Sequence, residues 1–109
     1  MEIQEKRFRP MLVTKGRKTG NSHAVWLRAV NYNGKIYFSR HRPDGDWFQN
    51  AIANSKVKIQ YKDMEFTGNA SLVTDEKLNQ KISQLKYPGE QRANEKRVAI
   101  EVTLDSNRN

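Results

Sequence analysis

The dipeptide Asn33-Gly34 lies between two runs of strand-forming residues. A two-residue type I′ turn needs positive φ at both central positions, and Asn-Gly meets that demand with little strain. Residues 23–32 before it are rich in β-formers, and residues 35–39 after it supply the partner strand. A β-hairpin is thereby placed early in the chain, and the remainder follows the same period of two. Residues 10–14 read as a short strand that stops at Lys15-Gly16. Residues 57–61 and 64–73 alternate on either side of a turn at Lys62-Asp63, and residues 98–104 form a last alternating strand.

Two stretches carry helical spacing instead. Asp46 can cap a helix over residues 47–54, with Trp47, Ala51 and Asn54 on one side. Thr74-Asp75-Glu76 opens a second helix through about Leu85, with Leu78, Ile82 and Leu85 on one face, and Pro88-Gly89 ends it. Residues 40–45 read as a loop and the polar ends as frayed termini. The order β-β-β-α-β-β-α-β, with about six strands, predicts a mainly β fold, a small closed or nearly closed barrel with two short helices. A length of 109 residues suits one domain, residues 1–109. So short a chain buries only part of its surface, and a dimer interface would help to complete its core.

Composition narrows the chemistry. Twenty Lys and Arg against 12 Asp and Glu give a net charge of +8, a field that attracts polyanions or phosphorylated ligands. The absence of cysteine excludes a disulfide scaffold, a thiolate-held iron–sulfur cluster and a cysteine nucleophile. His23 and His41 have no carboxylate pair spaced to complete a metal site, and Ser22 and Ser39 lack a nucleophile context. No apolar run approaches the ~20 residues of a membrane span. The N-terminal residues lack an apolar signal core, so the cytoplasm is the expected compartment.

Two segments can carry function. In Thr14-Lys15-Gly16-Arg17-Lys18-Thr19-Gly20-Asn21, two glycines permit a tight turn whose N–H groups can converge as an anion nest. Lys15, Arg17 and Lys18 add cationic donors and Thr19 a hydroxyl. An ordinary basic hairpin loop satisfies the same residues, and the glycine spacing excludes a P-loop. In the segment from Ser39 to Asn50, loop amides lead to a helix N-terminus that favours an anion or an electron-rich ring edge. Trp47 can wall a cofactor there or simply anchor the helix to the sheet, and Asn50 can bond a polar edge.

The succession of Gly16-Arg17-Lys18-Thr19-Gly20, the Asn33-Gly34 hairpin and Trp47-Phe48-Gln49-Asn50 resembles the deazaflavin-dependent nitroreductase family. That family belongs to the pyridoxamine 5'-phosphate oxidase-like, FMN-binding split-barrel group, and the resemblance runs from about Pro10 to Leu104. It implies a split β-barrel homodimer and an oxidoreductase that moves a hydride between a bound cofactor and a small-molecule acceptor. Coenzyme F(420), a deazaflavin, is preferred over FMN. By the same resemblance Lys15, Arg17, Lys18 and Thr19 would hold the cofactor's phosphate or acidic tail. Ser39 and Arg40 would line its ring, and Trp47 and Asn50 would close the pocket, with no protein acid or base required. The chain departs from the family pattern at Asn21-Ser22-His23-Ala24, where an arginine and a proline are usual, and at Ser55, where a proline is common. Rival readings are a non-catalytic cofactor-binding module and, from the +8 charge with Trp26, Tyr37 and Phe38, a nucleic-acid-binding barrel.

Overall fold

A computed structural model of the chain describes residues 5–40, 45–91 and 97–105. Most of the loop expected at residues 40–45, and most of both termini, lie outside these. The elements are β1 (Arg7–Phe8), β2 (Met11–Lys15), β3 (Ser22–Trp26), β4 (Ala29–Tyr32), β5 (Lys35–Arg40), α1 (Asp46–Ala53), β6 (Lys56–Tyr61), β7 (Met64–Leu72), α2 (Glu76–Lys86) and β8 (Val98–Leu104). The eight strands form one antiparallel sheet in the order β1-β4-β5-β8-β7-β6-β2-β3.

The six expected strands become eight because the one expected at residues 23–32 is interrupted and a further short strand, β1, precedes the one expected at residues 10–14. Pro10 has no N–H to give to a ladder, and it separates β1 from β2. Leu27-Arg28 separates β3 from β4 at the facing position. The register nevertheless runs on across the break. Arg7 faces Val30, Phe8 faces Ala29, Met11 faces Trp26 and Lys15 faces Ser22, while the Leu27 amide donates to the Pro10 carbonyl at 3.1 Å. Residues 7–15 and 22–32 are thus one long hairpin that joins the two ends of the sheet and rolls it into a barrel.

Closure is incomplete in two places. Only β2, the second half of the first strand, pairs with β6, and only β4, the second half of the other, pairs with β5. Among the described residues β1 has no backbone partner toward β6, and β3 has none toward β5. Side chains bridge the first gap. The Phe8 and Tyr61 rings lie 4.8 Å apart, and Glu5 Oε2 accepts from the Tyr61 hydroxyl at 2.8 Å and from Lys62 Nζ at 3.0 Å.

Alternation along the strands sorts the core into two layers. Leu12, Ala29, Ile36, Phe38, Ile59, Ile100 and Val102 point into the barrel, where Phe48 and Ala51 of α1 meet them. Val30, Tyr37 and Ala99 point outward and are covered by Ile82, Leu78 and Leu85 of α2. Covered on both sides, β5 is buried from Ile36 to Ser39. Asn33 and Gly34 have φ of 53° and 76°, as the turn between β4 and β5 requires.

The start of α1 differs from expectation by one residue, and that of α2 lies where it was expected. Gly45, not Asp46, caps α1, which leaves the Asp46 carboxylate free to point at a neighbouring turn. The buried residues of α1 are Phe48, Asn50 and Ala51 rather than Trp47, Ala51 and Asn54. Asp75 caps α2, its carboxylate accepting from the Lys77 and Leu78 amides.

The Glu5 bridge makes a prediction about acid. The Tyr61 hydroxyl first, and the Lys62 ammonium after it, hold the Glu5 carboxyl down to about 2 from its ordinary 4.5. A carboxylate lowered on folding stabilises fully above its unfolded value, and that stabilisation is lost as pH falls toward the folded one. The melting temperature should therefore fall between about pH 4.5 and 2 more steeply in the wild type than in Glu5→Gln. Parallel curves for the two proteins would remove Glu5 from the closure of the gap.

Candidate functional site

The second gap holds a cavity of about 500 Å³. One wall is formed by Thr14 and Gly16 of the hairpin's first strand and turn, with His23 and Val25 of β3 beside them. The turn residues Arg17, Lys18, Thr19 and Asn21 form its rim, and Asp46, Trp47 and Asn50 of α1 form the opposite wall. Because β3 does not pair with β5, the space between them is open to α1 and the turn.

Backbone bonds shape the turn. The Gly16 amide donates to the Asn21 carbonyl at 2.7 Å, and the Gly20 amide donates to the Gly16 carbonyl at 2.9 Å. Gly20 takes a φ of 76°, and the Asn21 amide donates to Thr19 Oγ1 at 3.2 Å. The amides of Lys18 and Thr19 keep no partner among the described residues, and neither does the Lys18 ammonium.

Arg17 is fixed to α1. Its backbone amide and its Nη1 both donate to Asn50 Oδ1, at 3.3 and 2.7 Å, and its Nη2 stands 3.5 Å from Asp46 Oδ1. Asn50 is buried although polar, and this double acceptance satisfies its oxygen while its Nδ2 has no partner among the described residues. The Asp46 side chain is 91% exposed, so water screens that ion pair and the Asn50 contact dominates. Trp47 anchors α1 and also borders the cavity. Its ring meets Phe38 and Phe48 edge-on at 6.2 and 5.6 Å, and it also lines the cavity.

The structure brings together Arg17, Lys18, Thr19, Trp47 and Asn50, and places Lys15, Ser39 and Arg40 elsewhere. Alternation decides the first two. Leu12 and Thr14 face inward, so Lys15 faces out, over a groove with Val13, Lys56 and Lys58, while its carbonyl accepts from Asn54 Nδ2 at 3.4 Å. Ser39 lies on the outer face of β5, where its carbonyl and hydroxyl accept from Lys86 Nζ at 2.8 and 3.4 Å. The Arg40 guanidinium packs against Gly45 at the entry to α1, outside the cavity wall.

Thr14 and His23, neither of them among the residues expected to bind the cofactor, also line the cavity. They sit directly opposite each other in the β2–β3 ladder, so a Lys15-Gly16 turn after β2 already places them on one face. Among the described residues the buried Thr14 Oγ1 has no hydrogen-bond partner. An unsatisfied buried hydroxyl costs about 1–3 kcal/mol, which a ligand's polar atom can recover. A cavity of this size with one aromatic wall, an orphaned hydroxyl and a cationic rim fits a flat ring carrying an acidic tail.

The Arg17–Asn50 contact is testable through stability. Asn50→Ala should lower the unfolding free energy by about 1–3 kcal/mol, because it strands two donors of the turn. Asp46→Asn should leave it almost unchanged. Urea unfolding of both variants separates them, and equal losses would show that Asn50 is not what fixes the turn.

Residues 3–105 match the F(420)H(2)-dependent quinone reductase family. An F(420)-H2-dependent reductase of known structure is similar at 21% identity and a TM-score of 0.67, covering 94% of this chain and 97% of that one. General stress protein 26 of Bacillus anthracis is similar at 18% identity and a TM-score of 0.70, covering 94% and 83%. A pyridoxamine 5'-phosphate oxidase-like protein of Listeria innocua is similar at 18% identity and 0.68, covering 90% and 84%. No curated protein sequence matches the chain significantly. Among the described residues no helix is long and apolar enough to cross a membrane. The structural likenesses establish the pyridoxamine 5'-phosphate oxidase-like split barrel. The family match establishes that the chain belongs to the F(420)H(2)-dependent quinone reductases of the deazaflavin-dependent nitroreductase group, and that it is an oxidoreductase whose cofactor is coenzyme F(420).

Proposed function

We propose that this chain reduces a quinone, using F(420)H2 held in the cavity between the Gly16–Gly20 turn and α1. The bound cofactor supplies the hydride, and the protein supplies position and electrostatics. Trp47 and Val25 offer an apolar surface against which a flat ring can lie. Lys18 Nζ and the Lys18 and Thr19 amides hold the phosphate or acidic tail, since these donors have no other partner among the described residues. Thr14 Oγ1 and Asn50 Nδ2 remain for polar atoms of the ligand.

In this reading Arg17 and Asn50 set the width of the site and need not both touch the cofactor. Lys15, Ser39 and Arg40 act through the scaffold, Lys15 by its carbonyl bond to Asn54 and Arg40 by its packing at the start of α1. The observation that carries the proposal is the cavity itself, an aromatic wall facing an unsatisfied cationic turn.

Titrating the purified protein with F(420) should change the cofactor's absorbance and fluorescence. The double variant Arg17→Ala, Lys18→Ala should bind it more weakly by roughly 2–4 kcal/mol. A benzoquinone or naphthoquinone should then oxidise F(420)H2 only when wild-type protein is present. Unchanged affinity in the double variant, or binding of FMN in place of F(420), would falsify the assignment.

The reading includes a homodimer. β3 is exposed over most of its length, its outer edge has no backbone partner among the described residues, and Trp26 is 58% exposed. A second subunit would cover that edge and the rim of the cavity beside it. Light scattering should give twice the 12.7 kDa chain mass for the wild type, and Trp26→Glu should shift it toward monomer. A monomeric wild type at micromolar concentration ends this part of the proposal.

A further inference from the structure

We propose a second ligand site, at the C-terminal end of α2, that takes a small phosphate-bearing molecule. A cavity of about 370 Å³ opens there, and none of the described residues lining it lines the cavity beside the glycine turn. Three elements distant in sequence build it. In β1, Arg7 pairs with Val30, whose side chain packs with Ile82 of α2. Arg7 therefore faces the last turn of α2, where its Nη1 donates to the Leu85 carbonyl at a long 3.5 Å. Arg28 stands in the break between β3 and β4, next to the paired Phe8 and Ala29. Lys86 ends α2, and its Nζ donates to the Ser39 carbonyl at 2.8 Å.

The buried Tyr87 ring gathers these charges. Arg28 Cζ, Lys86 Nζ and Arg97 Cζ lie 5.6, 5.2 and 5.1 Å from its centroid. A ring face and the carbonyl end of a helix both attract cations, which explains why the charges collect. Those attractions do not use up the donors. A guanidinium resting on a ring keeps its N–H edge for an oxyanion. Arg28 is exposed and donates no hydrogen bond to a described residue. Against Arg7, Arg28 and Lys86, Glu90 is the one carboxylate among the described residues lining the cavity. Cations reaching in from three elements fit a phosphate, whose oxygens point in several directions, better than a planar carboxylate. The rest of the wall is apolar, with Phe8, Ala29 and Pro88. A volume at the small end of ligand pockets leaves room there for a carbon body beside the phosphate. The ligand is therefore a phosphate ester of a small molecule, and its binding would tie β1, the strand break and α2 together.

The test titrates F(420)-loaded protein with phenyl phosphate, inorganic phosphate and phenol, by calorimetry and by amide NMR. Phenyl phosphate should bind about tenfold more tightly than either of the others. Its binding should weaken as salt rises, and it should raise the melting temperature. In the wild type the amide shifts should centre on Arg7, Arg28 and Lys86, which locates the site without any variant. Arg28→Gln should weaken phenyl phosphate about tenfold and leave F(420) affinity unchanged. Arg28→Lys should recover part of the loss, as a point charge without the planar fork. The same titration of Lys18→Ala protein without F(420) should give the same shifts, so the result does not depend on the cofactor reading. Failure of F(420) to bind would touch the cofactor cavity alone. Shifts confined to the Gly16–Gly20 turn, affinity unchanged in Arg28→Gln, or equal affinity for inorganic phosphate would overturn the proposal. An oligonucleotide that shifts these amides while phenyl phosphate does not would overturn it too.

Discussion

Residues 7–15 and 22–32 pair with each other in one register, yet each half finds an outside neighbour on only one of the two strands. That constraint governs the molecule. A hairpin paired fully on both outer edges would close the barrel and leave no room beside it. Interrupted at Pro10 and at Leu27-Arg28, it closes the barrel in halves and leaves two gaps at opposite ends. Side chains of Glu5, Phe8 and Tyr61 fill the first. The second is spanned by α1, anchored through Phe48, whose complete burial is worth roughly 1.5–3 kcal/mol.

In the second gap a hydrophobic anchor alone would leave the distance between helix and turn unspecified. Asn50 specifies it, since one buried carbonyl oxygen receives both the backbone and the guanidinium of Arg17. The backbone bond ties the turn itself, not merely a flexible side chain, to the helix. Arg17 thereby gives up much of its capacity to grip a ligand, and in the proposed reading the acidic tail falls to its neighbour Lys18 and to the amides beside it, which have no partner among the described residues.

Much of the fold was legible in local pattern. The Asn33-Gly34 turn, the alternation of residues 98–104 and the Leu78, Ile82, Leu85 face each encode one element, and each element appears where its pattern lies. The site was harder to read because its contacts join distant residues. Nothing near Arg17 announces Asn50, which is 33 positions away. Ser39 reads as a pocket residue until α2 is known to cover the outer face of β5. Lys15 could have been placed correctly, because the alternation that turns Leu12 and Thr14 inward turns it outward. His23 could have been found the same way, from its position across the turn from Thr14.

A barrel left open at one end sacrifices backbone pairing to gain a site, and so small a chain has little stability to spare. In the proposed reading the arrangement is workable because a deazaflavin brings its own reactive atoms, so the protein would need no buried acid–base dyad with its desolvation cost. What the protein must provide is a flat apolar wall, a cationic rim and a fixed spacing between them. Trp47, Lys18 and the Arg17–Asn50 contact provide these three. Each lies on the border of the gap, and none belongs to the strands that close the barrel.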